Sequence, residues 1–255
     1  MPLDRDAFAS LGLEAMIPSK VNGRENGVKI DPAWDADYRP CIEAKGVSDA
    51  DRGSILRFEN WADTEIFANT RRLLHIYIPR NVSDDAPIIF FNDGTFYLTR
   101  RGPVRATHVL DELSHKGEIV PTIAVFIGPG VPSHPVKTKP IESYNDLEAQ
   151  RSLEYDRLTA DYGNFLFLEV LPFVQSEIGV KISEAREHRT VCGISSGGIA
   201  AFTAAWRHPD QCARVLSHCG SFTNIWGGHN YPAMLRSQPR KPIRVLLTSN
   251  ENDAD

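Results

Sequence analysis

Cysteine is scarce in this sequence, with four in 255 residues, and none stands in the C-x-x-C spacing of a zinc site. So few cysteines exclude a disulfide-stabilised scaffold and favour reduced, mostly buried thiols. Long apolar runs are absent too, and the first residues lack a basic stretch followed by an apolar one. We therefore expect no transmembrane span, no signal peptide and no membrane partner, and the sequence favours a cytoplasmic protein.

An excess of basic residues is also missing, because 28 Lys and Arg residues stand against 33 Asp and Glu residues. The resulting net charge of −5, without a basic stripe, predicts no nucleic-acid partner. With 42% hydrophobic residues, the chain can bury one large core without metals or disulfides. We expect one domain over residues 53–255, preceded by a polar extension, residues 1–52, that is broken by turns and packs on the domain.

Three runs of residues are apolar on both faces and rich in β-branched side chains, which indicates strands buried on both sides, as in a parallel sheet. They are residues 86–92, 122–128 and 189–195. Helical periodicity over residues 103–117 and 152–179 separates these runs. Strand and helix therefore alternate, which is typical of βαβ units in an α/β domain.

Further elements follow and precede these three runs. We expect a strand at 214–220, a short helix near 231–237 and a strand at 243–250. Alternating apolar and polar residues over 71–80 predict an antiparallel edge hairpin with residues 55–60. The sequence thus predicts an α/β fold with a mainly parallel sheet flanked by helices.

The strongest chemical signal is Gly193-Ile194-Ser195-Ser196-Gly197, a G-x-S-x-G placed between a predicted strand and a predicted helix. A nucleophile in so sharp a turn has strained backbone angles, and neighbouring side chains would collide unless glycines flank it. The turn exposes the Ser195 hydroxyl and directs the helix N-terminus, including the Ser196 amide, towards an oxyanion. The alternative interpretation is a glycine-rich helix start without chemistry.

A second oxyanion donor is expected from the turn after the first buried strand, where the sequence reads Asn92-Asp93-Gly94-Thr95-Phe96. A glycine at the end of a strand lets the backbone turn its amides towards the nucleophile. Gly94 and the amide of Thr95 or Phe96 are therefore the candidates. The alternative is an ordinary Asp-Gly turn.

A serine nucleophile needs a base, usually a histidine oriented by a carboxylate, and in this fold the chain order is Ser, then Asp or Glu, then His. Asp253 is the preferred acid, ahead of Asp255 and Glu251. None of the eight histidines follows Asp253. The sequence therefore predicts either a chain that lacks a C-terminal helix, strand and histidine, or a histidine from elsewhere. His218 and His229 are the candidates for the base among the histidines present, although each has an ordinary structural interpretation.

Several of these segments resemble the putative-esterase branch of the α/β-hydrolases, which includes enterochelin esterases, esterase D and bacterial feruloyl esterases. The similarity lies in FFNDGTFY, RSLEYD, VCGISSGGIAAFTAAWRHPD, VLSHCGSF and PIRVLLTSNENDAD. Together these segments span residues 87–255. The serine turn is shared with all α/β-hydrolases, whereas the Asp-Gly turn, the R-x-x-E and the S-x-x-G-S-F segment are more particular to this branch.

The resemblance implies roles for individual residues. It implies that Ser195 is the nucleophile and that the turn at Gly94 helps to form the oxyanion hole. Arg151 and Glu154 match the R-x-x-E that borders the substrate pocket in relatives, although spacing alone makes them an i, i+3 pair, typically a solvated ion pair. The family's histidine follows the last strand in a Gly-His segment that this sequence lacks. Because the acid varies in the branch and some members use a Ser-His pair, Asp253 is less firmly implied.

The first functional hypothesis is a serine carboxylic-ester hydrolase that forms an acyl-enzyme with a small-molecule ester and needs no metal or organic cofactor. The alternatives are a non-catalytic binding protein with a hydrolase fold, and an acyltransferase that uses the same nucleophile. The sequence determines neither the ester nor the oligomeric state. Side chains that could contact substrate, or else belong to the core, are Phe96, Tyr97, His218, Phe222 and Trp226.

Overall fold

The computed structural model describes residues 41–98, 104–132 and 144–249. A sheet of eight strands forms the centre of this part of the chain. The strands are Ser54–Trp61 (β1), Thr70–Ile78 (β2), Ile88–Asn92 (β3), Ile123–Ile127 (β4), Val131–Pro132 (β5), Arg189–Ile194 (β6), Arg214–His218 (β7) and Arg244–Thr248 (β8).

The strand order is β1-β2-β4-β3-β6-β7-β8, and the short β5 pairs with β2. Strands β4, β3, β6, β7 and β8 are mutually parallel, whereas β1 and β2 run antiparallel at one edge. Every residue of β3 and β4 is buried, as expected for central strands covered on both faces. The structure confirms the predicted α/β class, the mainly parallel sheet and the antiparallel edge hairpin.

Helices cover both faces of the sheet. They are Gly94–Leu98 (α1), Ala106–His115 (α2), Tyr144–Tyr155 (α3), Asp161–Asn164 (α4), Leu171–Glu177 (α5), Ser196–Arg207 (α6) and Tyr231–Ser237 (α7). A π-helical segment, Phe165–Val170, joins α4 to α5. Short 3₁₀ turns occur at Ile42–Lys45, Asp49–Asp51, Arg186–His188 and Gly228–Asn230. The short helix predicted near 231–237 is confirmed as α7.

The single helix predicted over 152–179 is wrong, because the structure divides it. α3 ends at Tyr155, and helical backbone resumes at Asp161. Within the connecting loop, the Leu158 carbonyl accepts a hydrogen bond from Arg207 Nε at 2.8 Å. This bond comes from another helix and replaces one that an uninterrupted helix would form internally. Apolar periodicity carries no information about such a partner.

Strand alternation divides the core into two layers. Leu74, Phe90 and Val191 belong to the larger cluster, which packs against α4 to α6. Phe91 and Phe126 stack at 5.0 Å between ring centroids in the smaller cluster, beneath α1 and α2. Because successive residues of a strand point to opposite faces, Phe90 and Phe91 each serve a different layer.

The segment at residues 41–52 lies against α2. The ring of His108 in that helix is 3.3 Å from the Ala44 carbonyl oxygen, measured at Nδ1. The other residues of the predicted extension, 1–40, lie outside the described residues, so the domain boundary at residue 53 stays a prediction. Among the helices described, none combines the length and apolarity that crossing a membrane requires.

Candidate active site

Ser195 lies in a sharp turn between β6 and α6, with φ 56° and ψ −124°, and its side chain is exposed. Such a positive φ costs a residue with a side chain about 1–3 kcal/mol and occurs mainly where function requires it. A Cβ at Gly193 would lie 2.1 Å from the Gly197 carbonyl oxygen, and a Cβ at Gly197 would lie 3.1 Å from Asp93 Oδ2. Gly193 therefore makes this turn sterically possible, and Gly197 leaves room beside Asp93.

Hydrogen bonds from β7 and the following loop stabilise the strained turn. The Ser195 N–H donates to the His218 carbonyl at 3.0 Å, and the Ser195 carbonyl accepts the Gly198 N–H at 2.9 Å and the Ser221 N–H at 3.0 Å. The hydroxyls of Ser195 and Ser221 are 3.0 Å apart. Ser221 therefore contacts the candidate nucleophile through its side chain.

The turn after β3 lies directly beside the Ser195 turn. Asn92 Nδ2 donates to the Gly197 carbonyl at 2.8 Å, and Tyr162 Oη donates to Asn92 Oδ1 at 2.6 Å. Asp93 has a positive φ of 54°, and α1 begins at the next residue, Gly94. A Cβ at Gly94 would lie 2.3 Å from the backbone of Phe126, so glycine is required there.

Two helices begin at the same edge of the sheet, because the strands that precede them, β3 and β6, are parallel neighbours. α6 begins at Ser196 and α1 at Gly94. The first N–H groups of a helix have no acceptor within it, so those of Ser196, Gly94 and Thr95 are suited to binding an anion. These three positions are among the predicted oxyanion donors, and the structure brings their two turns into contact through Asn92 and Gly197. The alternative donor, the Phe96 N–H, is already bonded to the Asp93 carbonyl at 3.0 Å.

Arg151 contacts the β3–α1 turn rather than its sequence neighbour Glu154. Its Nε lies 3.0 Å from Asp93 Oδ1, and its Nη2 lies 2.8 Å from Asp93 Oδ2. The guanidinium also lies over the Tyr155 ring, 5.3 Å from its centroid. The solvated i, i+3 pair expected from spacing alone is therefore wrong.

Glu154 is buried inside the protein, not at the edge of a pocket. Its carboxylate forms an ion pair with Arg72 at 2.8 Å, and both side chains are fully buried. The Gly130 N–H and Gln150 Nε2 also donate to this carboxylate, the latter at 2.9 Å. This burial gives no support to the predicted contact of Glu154 with substrate, which stays a prediction. The ion pair joins residues 82 positions apart and could not be inferred from sequence.

Tyr97 is also buried, with 2% of its surface exposed, and its ring packs on Phe91 with 4.8 Å between centroids. The structure therefore places Tyr97 in the core rather than at a substrate-binding surface. Phe222 packs on Phe202 at 5.6 Å between centroids, which also indicates a core role. Trp226 remains half exposed, and its Nε1 donates to Ser152 Oγ at 3.1 Å.

The two candidate histidines do not contact the Ser195 hydroxyl among the hydrogen bonds of the described residues. His218 Nδ1 lies 2.9 Å from Thr248 Oγ1, and burial lowers the pKa of His218 below its ordinary value. His229 is exposed, and its backbone N–H donates to the Thr223 carbonyl at 3.1 Å. Neither histidine is therefore identified as the base by the hydrogen bonds of the described residues.

The predicted acids, Asp253, Asp255 and Glu251, lie outside the described residues. Within the part of the chain that is described, no group of His, Cys, Asp and Glu side chains could hold a metal ion. Ser221 is a site residue that the sequence reasoning did not single out, although it belongs to the S-x-x-G-S-F segment.

A protein-family model described as Putative esterase matches residues 66–254, about three quarters of the chain. A comparison with curated proteins found no match.

Similar solved structures include the enterobactin esterase FES from Shigella flexneri in the presence of 2,3-Di-hydroxy-N-benzoyl-serine, with a TM-score of 0.56 and 21% identity over 85% of this chain and 48% of that chain. Another is a serine-to-alanine mutant of the feruloyl esterase module from Clostridium thermocellum complexed with sinapinate, with a TM-score of 0.54 and 15% identity over 82% of this chain and 70% of that chain. The chain spans about half the length of the enterobactin esterase that it matches. At these identities the likeness shows a shared fold.

Proposed function

The chain belongs to the putative-esterase family, and on that premise we propose that it hydrolyses the carboxylic ester of a small molecule with Ser195 as nucleophile. The observation that carries the proposal is the positive φ of Ser195, held between two glycines at the start of α6. Strain of this kind exposes a hydroxyl and is retained where a nucleophile must meet substrate.

In the proposed reaction, Ser195 Oγ attacks the ester carbonyl and the carbonyl oxygen becomes an oxyanion. The N–H of Ser196 and an N–H of Gly94 or Thr95 stabilise this charge. Collapse of the tetrahedral intermediate releases the alcohol and leaves an acyl-enzyme, which water hydrolyses to release the acid. The contact between the two turns through Asn92 supports this pairing of donors.

A histidine would take the Ser195 proton and return it to the leaving group. We propose Asp253 as the acid that orients it. In support, β6, β7 and β8 are parallel, so the chain leaves β8 at Thr248 on the same edge of the sheet as Ser195. Within the described residues, Ser195 Oγ is hydrogen-bonded to Ser221 Oγ and not to a histidine.

That last observation favours a second candidate function, a non-catalytic binding protein with the same fold. Acyl transfer to an acceptor other than water is a third candidate, because it uses the same nucleophile and differs only in what attacks the acyl-enzyme. The three functions differ in whether Ser195 reacts and in what product leaves.

The test is to treat the full chain with a fluorophosphonate and to locate the adduct by mass spectrometry. We expect one adduct on Ser195, none in Ser195→Ala, and an unchanged adduct in Ser237→Ala, a matched control because Ser237 is exposed at the end of α7. A wild-type chain without an adduct would remove the esterase proposal and leave the binding protein.

A second measurement separates hydrolysis from transfer. The chain is incubated with a p-nitrophenyl ester in the presence of a competing alcohol, and the products are quantified. Free acid as the main product supports hydrolysis, whereas the new ester as the main product supports transfer.

The substrate and the cellular location extend the same proposal. The exposed ring of Trp226, beside Arg157 at 5.1 Å from its centroid, supports a substrate with an apolar or aromatic group. A panel of aryl and alkyl esters tests this, because a wild-type preference for aryl esters should be lost in Trp226→Ala. A cytoplasmic location is supported by the four cysteines, which form no disulfide within the described chain.

A further inference from the structure

We propose that Asp93 and Arg151 together hold the β3–α1 turn as an oxyanion-binding element, so that Arg151 is a positioning residue and does not act by binding substrate. This inference rests on the proposed esterase function. The contact is bidentate: Arg151 Nε and Nη2 lie 3.0 Å and 2.8 Å from the two oxygens of Asp93. Two parallel hydrogen bonds fix the plane of the carboxylate as well as its distance.

At this turn, the ion pair can determine the backbone conformation of Asp93. Asp93 has a φ of 54°, a conformation that a residue with a side chain adopts only when its surroundings impose it. Its backbone N–H donates to Tyr155 Oη at 3.1 Å, and Arg151 lies over the ring of the same tyrosine. α3 therefore holds Asp93 by both its side chain and its backbone.

The orientation of Asp93 determines where the next amides point. α1 begins at Gly94, so a rotation at Asp93 would move the N–H groups of Gly94 and Thr95 together. Asp93 also lies beside the nucleophile turn, since a Cβ at Gly197 would lie 3.1 Å from its Oδ2. The Asp93–Arg151 pair thus fixes the predicted oxyanion donors relative to the start of α6.

The ion pair is shielded from solvent, with side-chain exposures of 19% for Asp93 and 13% for Arg151. Solvent and salt therefore screen it less than a surface pair. Both the Nε and the Nη2 of Arg151 bond to Asp93, so the protein already occupies this edge of the guanidinium. This geometry favours positioning over the substrate contact that the family resemblance implies.

The experiment compares Arg151→Lys, Asp93→Asn and the double variant with the wild-type full chain. The kcat and KM for p-nitrophenyl butyrate are measured, along with the rate of fluorophosphonate labelling. We expect each single variant to lower kcat about 10- to 100-fold, with KM changed less than about threefold, because a misplaced donor stabilises only the transition state less well. The double variant should lose about as much as the worse single one, because both substitutions break the same contact.

Arg186→Lys is the matched control. Arg186 also joins separate parts of the chain, through the carbonyls of Pro209 and Pro242 at 2.9 Å, but it precedes β6 and lies at the opposite edge of the sheet from Ser195. We expect its kcat and KM to equal those of the wild type. Tyr155→Phe, which removes the acceptor of the Asp93 N–H, supplies a variant that keeps both charges, and its kcat should fall about threefold or more.

A raised KM with unchanged kcat in Arg151→Lys would overturn the proposal and assign Arg151 to substrate binding. Unchanged kinetics in all four site variants would overturn it as well, whereas labelling of wild-type Ser195 would still support the proposed function. A wild-type chain with neither label nor hydrolysis would overturn both. Circular dichroism of each variant separates these results from unfolding, and Tyr155→Phe decides the question if the charged variants unfold.

Discussion

Replacement of Gly193 by alanine tests whether the nucleophile turn requires the absence of a side chain at this position. The new Cβ would lie 2.1 Å from the Gly197 carbonyl oxygen and 2.3 Å from the carbonyl carbon, where ordinary contacts begin near 3.4 Å. The backbone on the two sides of Ser195 would therefore have to separate by about 1.3 Å. Because both atoms belong to backbone, no rotamer change can relieve the clash. We expect a loss of about 2–3 kcal/mol in unfolding free energy.

The functional effect should be measurable while the variant is still folded. A displacement of about 1 Å at a reacting group can cost about 100-fold in rate. The rate of fluorophosphonate labelling of Ser195 should therefore fall at least about tenfold in Gly193→Ala, measured under conditions where urea titration shows the variant to be folded.

Two other glycines, one in the same turn and one outside it, provide a graded comparison. A Cβ at Gly197 would meet Asp93 Oδ2 at 3.1 Å, so Gly197→Ala should cost less than about 1 kcal/mol because the neighbour must move only slightly. A Cβ at Gly179 would meet nothing within 4 Å, so Gly179→Ala should stay within about 0.5 kcal/mol of the wild type. If Gly193→Ala matched the Gly179 control in both stability and labelling, the steric reasoning about this turn would be refuted.

Three further predictions concern other contacts. Ser221→Ala removes the hydroxyl 3.0 Å from Ser195 Oγ and should change the labelling rate about threefold or more, with an unfolding free energy within about 1 kcal/mol of the wild type; an unchanged rate would make the contact incidental. Glu154→Gln leaves Arg72 as an unpaired buried charge and should cost about 3–5 kcal/mol by urea titration, whereas loss of the exposed Lys181 pair should leave the unfolding free energy nearly unchanged, and equal losses would contradict the argument. Burial lowers the pKa of His75 below 6.5, so the unfolded chain binds its proton more readily and the unfolding free energy should fall as pH drops below about 6.5; His75→Gln should flatten this slope, and an unchanged slope would refute the assignment.

The sheet and the nucleophile turn could be predicted from the sequence because both depend on local patterns. The run 86–92 is apolar on both faces, and β3 within it is buried at every residue. Glycines at 193 and 197 predicted a bend that their missing side chains allow. In each case the physical cause lies within a few residues of the structure it produces.

Side-chain roles were harder to predict, because their causes are distant in sequence. On spacing alone Glu154 was expected in a solvated pair with Arg151, yet it is buried in an ion pair with Arg72 of β2. Tyr97 has a polar hydroxyl that suits a pocket, yet its ring packs on Phe91 in the core. The acid Asp253 stays a prediction, because it lies outside the described residues.

The buried contact between Arg72 and Glu154 also limits how α3 can move. Any sliding or rotation of this helix would separate two opposite charges where no water can replace either partner, so the energy rises steeply with displacement. Arg151 is on the same helix, one turn earlier, and moves only with it. The salt bridge at the antiparallel edge thereby keeps the guanidinium of Arg151 in place as well, and residues of β2 help to determine how rigidly it holds Asp93.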